Sequence, residues 1–137
     1  MSPEARAALE RARCRLDRLD LYPAPVRMRF VRVFTASWFF RLPGLRRFDG
    51  YALHATILLR RPVSQTSDDL VTHELCHVWQ LQHRPVRMPL SFLRTRYARN
   101  PYELEARRAV SETRVGWREP PEPAASQRLD ANSTSSL

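Results

Sequence analysis

Apolar positions recur at helical spacing in two well-marked stretches, with strand-like runs between them. In residues 3–20, Leu9, Ala12, Leu16 and Leu19 form one stripe on an arginine-rich segment opened by Ser2-Pro3, which predicts a first helix. Leu70, Val71, Leu75, Val78, Trp79 and Leu81 carry the same period. Ser67 offers an N-cap, Asp68 and Asp69 complement the positive end of the helix dipole, and Pro85 marks a stop, so a helix is predicted over residues 68–83. A further helix is predicted from Asn100 as N-cap and Pro101 as first residue, running to about Gly116. Residues 51–60, bracketed by Gly50 and Pro62, are rich in β-branched and apolar types and predict a strand. Residues 26–34 alternate in part between apolar side chains and arginine and predict a second strand. Trp38-Phe39-Phe40 fits a strand, a short helix or a surface flap, and its aromatic rings favour a place in the core.

Length bounds the architecture. At 137 residues the chain suits one domain with a single core, expected over residues 1–118. Residues 119–137 are rich in Pro, Ser and Ala without periodicity, and a disordered tail is expected there. No apolar run reaches membrane-spanning length, and the first residues lack a signal-peptide core, so a cytoplasmic location is expected. Cys14 and Cys76 give no sign of a disulfide; Cys76 reads as a small buried residue.

The polar residues change the picture at one place. In His73-Glu74-Leu75-Cys76-His77 the two histidines sit four apart, hence on one helix face a turn apart, where both Nε2 atoms can close on one metal ion. Glu74 is rotated off that axis and stays beside the open coordination position, where a carboxylate can accept a proton from water. Burying two His and a Glu together without a metal would be costly.

A third ligand decides the class. His83 has the spacing of the last histidine in H-E-x-x-H-x-x-G-x-x-H, but that pattern needs a glycine to turn the chain, and Gln80 occupies the position. Continued helix points His83 away, near a helix end. In Asn100-Pro101-Tyr102-Glu103-Leu104-Glu105-Ala106, Glu103 and Glu105 lie about 200° apart on a helix, so one site can use only one of them. Glu103 shares a small apolar face with Ala106 and Val110, and the small residues Ala106 and Ala109 permit close helix approach, whereas Glu105 lies with Arg108 and Glu112 on a face that reads as solvated. Glu103 is the favoured ligand; the competing role is a capping box, with Glu103 reaching back to the Asn100 amide.

His-Glu-Leu-x-His-Val-Trp-Gln followed by Asn-Pro-Tyr-Glu-x-Glu-Ala resembles the minimal gluzincin group, which includes small uncharacterised metallopeptidases found alone or near secretion and injection systems. The resemblance covers roughly residues 50–112. It implies an α+β, zincin-like fold, with a short antiparallel or mixed sheet packed on the HExxH helix and on a C-terminal ligand-bearing helix. It further implies zinc (Zn2+) held by His73, His77 and Glu103, Glu74 as general base, and a sheet edge beside the cleft with which an extended substrate can pair. Relatives often place an Asp four residues after the ligand Glu to orient a histidine; here that position is Arg107. Tyr97, Tyr102 and His54 are candidates to stabilise an oxyanion.

Two function classes follow. One is a zinc metallopeptidase, a hydrolase acting on a peptide or protein substrate. The other is a non-catalytic zinc-binding regulatory or interaction module. Charge bears on both. All 23 basic residues are arginine, and up to Arg118 there are 22 of them against 11 acids, a surface that attracts nucleic acid, acidic lipid or acidic protein. The arginines are dispersed and no nucleic-acid-binding signature accompanies them, so nucleic acid is the less favoured partner.

Overall fold

Ser2 opens the first helix: its hydroxyl accepts the amide of Ala5 at 3.1 Å, and Pro3 takes the first helical position. The computed structural model describes residues 1–114. Helix α1, Pro3–Leu16, buries Ala5, Ala8, Leu9, Ala12 and Leu16 against α2, Asp68–His83. Alanine at three of those positions lets the two helices approach closely. Ion pairs join the same elements, with Arg11 to Asp68 at 2.9 Å and Arg15 to Asp69 at 2.9 Å. The two acids expected to serve the helix dipole therefore also link α2 to α1.

Between these helices along the chain come β1, Arg32–Thr35, β2, Gly50–Leu53, and β3, Thr56–Leu59, which form a small sheet in the order β1-β3-β2. It is mixed: β1 runs parallel to β3 with Val33 opposite Ile57, and β2 runs antiparallel to β3 with Tyr51 opposite Leu58. One face buries Val33, Ile57 and Leu59 in the core shared with α1 and α2. Helix α3, Arg87–Arg94, then leads into α4, Pro101–Thr113, which packs on α2. Among the described residues the fold is α+β, four α-helices with a three-stranded sheet. Among the described residues no helix is long and apolar enough to cross a membrane.

Four expectations need correction. The strand expected over residues 51–60 is a hairpin, β2 and β3, because the chain reverses at His54-Ala55 with His54 at φ 53°. Histidine tolerates the left-handed region better than most residues, so no glycine marks the turn. The strand expected over residues 26–34 is ordered as β1 only from Arg32. Before it, Val31 N–H donates to Met28 O in a turn, and the side chain of Gln82 bonds both the amide and the carbonyl of Arg27. Those backbone groups are satisfied off the sheet. The first helix stops at Leu16, with Asp17 N–H on Arg13 O, short of residue 20. The aromatic cluster forms a short 3-10 turn, Phe39–Arg41, in which Phe40 is buried and Trp38 is exposed, so the core role holds for Phe40 alone. The tail expected at residues 119–137, and Gly116 with it, lie outside the described residues.

Candidate metal centre

Two caps set the register of the site. Ser67 Oγ accepts the amide of Leu70 at 3.2 Å and starts α2, which places His73 and His77 one turn apart on the face toward α4. Asn100 Oδ1 accepts the amides of Tyr102 and Glu103 at 2.9 and 3.4 Å and starts α4. The Asn100 amide donates to Tyr97 O, so Glu103 is not spent on a capping box. Its side chain is buried and turns to the histidines instead.

The three side chains converge. His73 Nε2 lies 3.1 Å from His77 Nε2, His77 Nε2 lies 3.0 Å from Glu103 Oε2, and His73 Nε2 lies 3.2 Å from Glu103 Oε1. Donors of a tetrahedral zinc site with bonds of about 2.0–2.1 Å stand roughly 3.3 Å apart, so this set fits zinc with little adjustment. Among the described residues these three form the one His/Cys/Asp/Glu group that could hold a metal ion.

The tautomer of His77 is set from behind. Gln80 Nε2 donates to Tyr102 O at 2.8 Å and to Glu105 Oε1 at 3.1 Å, so its amide oxygen faces His77 Nδ1 at 2.7 Å. Nδ1 must then be the protonated nitrogen, which leaves the Nε2 lone pair for a metal. Glu105 is fixed in turn by the hydroxyl of Tyr22, which donates at 2.7 Å. The solvated role expected for Glu105 is thus overturned: it is half-buried and holds Gln80 in place. Arg107, at the position where the resemblance leads one to expect Asp, serves the carboxylate instead, with Nε 3.1 Å from Glu103 Oε1.

Electrostatics follow from this crowding. Burial alone would raise the Glu103 carboxyl, yet hydrogen bonds from His73 and His77 hold it well below the usual carboxylate range. Burial opposes charge on His77, but Glu103, Glu74 and Gln80 outweigh it and raise the imidazole above its ordinary value of 6.5. A metal ion must displace that proton. Apparent zinc affinity is accordingly expected to fall as pH drops, beginning above pH 6.5; a competition titration across pH 5–9 that stays flat down to pH 6 would contradict it.

Glu74 is 5% exposed and sits against the first residue of β2. A Cβ on Gly50 would come within 2.7 Å of Glu74 Oε1 and 2.9 Å of its Cγ, so only glycine leaves the carboxylate this place. Burial raises the Glu74 pKa, while His73 and His77 pull the other way. Glu74 borders both of two cavities, one of about 700 Å³ beside His73 and one of about 690 Å³ beside His77. Gly50→Ala is expected to keep zinc stoichiometry and to lower any hydrolysis about 100-fold by displacing Glu74, checked by elemental analysis beside a turnover assay.

Of the oxyanion candidates, Tyr97 borders both cavities, and its hydroxyl, its pKa raised by burial and by Glu103, lies close to the site. His54 borders the second cavity at the hairpin turn, and Tyr102 lines neither cavity. His83 takes no part: it stacks on Tyr22 at 4.9 Å with Nδ1 near Trp79 O. Cys76 is buried, its thiol pushed up by that burial, and Cys14 is exposed; both are free. Sequence reasoning missed Gln80, Glu105 and Gly50 as parts of the site. Gln80 was findable, since a residue three after His77 shares its helix face. No family model, curated protein or solved structure matches the chain.

Proposed function

We propose that the chain is a small zinc-dependent metallopeptidase of gluzincin type with a zincin-like fold, acting on peptide or protein substrates. The observation that carries this reading is the convergence of His73, His77 and Glu103 within 3.0–3.2 Å, with a separate buried carboxylate, Glu74, where two cavities meet. A purely structural metal site has no use for a second acid held beside open space. Zinc in such a site supplies a Lewis acid and a water of lowered pKa. Glu74 takes a proton from the attacking water at its carboxylate and returns it to the leaving amide nitrogen. The Tyr97 hydroxyl is the side-chain donor best placed to meet charge developing on the substrate carbonyl oxygen. Gln80, Glu105 and Arg107 hold the ligands in line.

The test is direct. Purified protein should carry about one zinc per chain, and a peptide mixture followed by mass spectrometry should be cleaved, with cleavage lost on chelation and restored by zinc. Protein that takes up no zinc, or zinc-loaded protein that cleaves nothing, would remove the reading. Zinc uptake without cleavage would instead favour the non-catalytic zinc-binding module.

A further inference from the structure

The cavity beside His77 has walls that bear on what the site accepts. Its lining includes the whole of β2, the apolar side chains of Leu81, Met88 and Phe92, and the rings of Phe48 and Tyr97, together with Glu74 and His77. Strand β2 pairs with β3 alone, so its outer edge is unpaired among the described residues. At about 3.3 Å per residue the four residues of β2 span roughly 13 Å, while residues two apart in an extended chain are about 7 Å apart and face the same way. The cavity, at about 690 Å³, offers far more room than one side chain fills. Its charge is one-sided. Arg47 and Arg96 line it, and neither makes an ion pair among the described residues, whereas Glu74 is its only acid. The Arg47 guanidinium instead lies over the rings of Phe48 and Tyr97 at 4.8 and 5.3 Å. Both arginines are exposed at the rim.

We propose that the substrate of this site is an extended segment with large apolar side chains at two alternate positions, both seated along β2, flanked by Asp or Glu and not by Lys or Arg. The inference rests on the peptidase reading and deepens it. The strand edge supplies backbone pairing, which is indifferent to sequence. Selection then comes from the apolar walls, which reward burial at positions i and i+2, and from the two arginines, which attract an acidic flank and repel a basic one.

The test compares four peptides of equal length: apolar-x-apolar with a Glu flank, the same with a Lys flank, one with a single apolar residue, and one wholly polar. Cleavage by the zinc-loaded protein and binding to zinc-loaded Glu74→Gln, read by fluorescence anisotropy, are measured together. The Glu-flanked pair should be cleaved with the highest kcat/KM, about tenfold or more above the single-apolar peptide. The Glu-over-Lys preference should shrink at high salt and invert in the Arg47→Glu, Arg96→Glu double variant. Cleavage of all four at similar rates, or a preference for the Lys flank, overturns the substrate class and leaves the peptidase standing. Selective binding with no cleavage of any peptide overturns the peptidase and leaves the groove's selectivity. Neither cleavage nor selective binding overturns both.

Discussion

Glu74→Gln is expected to keep its zinc and lose hydrolysis by roughly 10²–10⁴-fold, the range general-base removal costs. The carboxamide has nearly the volume of the carboxylate, so it can occupy the same space against Gly50, where the chain tolerates nothing larger on the strand side. It cannot accept a proton. The three side chains that could hold the metal are His73, His77 and Glu103, so elemental analysis should find the same stoichiometry as in the wild type. A second readout separates loss of chemistry from loss of fold. The native pKa of Glu74 is raised by burial, so the group favours folding fully only below its unfolded-state value, and that contribution is lost as pH rises through the native pKa. Glutamine carries no such penalty. The metal-free variant should therefore be at least as stable as metal-free wild type near neutral pH in thermal denaturation. Undiminished turnover in Glu74→Gln would move the base elsewhere.

How much of this was legible depends on whether a feature is local. The bounds of α2 could be read closely because Ser67, Asp68 and the apolar period all act within the helix, and the Asn100-Pro101 start of α4 is equally local. The hairpin was hidden because His54-Ala55 carries neither glycine nor asparagine, and the flanking apolar residues run on as if in one strand. Helix α3 was hidden by Pro89, which reads as a breaker but falls in the first turn, where a missing amide costs nothing. At the site, the meeting of His73, His77 and Glu103 was legible from helix-face spacing. Their supports were not, since the bond from Gln80 to Glu105 joins α2 to α4 and the contact of Gly50 with Glu74 joins β2 to α2. Glu105 was misread for the same reason: helix periodicity places it on a face with charged residues, while the tertiary fold puts Tyr22 and Gln80 against that face.

Glu103→Ala should abolish stoichiometric zinc binding under conditions where Glu105→Ala only weakens it. Removing Glu103 deletes one of three donors and leaves two imidazoles with no anion to offset the cation. It also strips Arg107 of its carboxylate partner, so a guanidinium would stand next to the place the cation must occupy. Removing Glu105 acts at one remove. Gln80 loses one of the two acceptors that fix its amide, yet keeps Tyr102 O, so the bond to His77 Nδ1 should survive in loosened form. Loss of such a supporting bond costs roughly 10–100-fold in metal affinity. Competition with a chromogenic chelator ranks the two variants, and the Gln80→Leu substitution, which removes the bond to His77 outright, should fall between them. Glu105→Ala losing more zinc affinity than Glu103→Ala would transfer the ligand role to Glu105 and with it undo the assignment of the site.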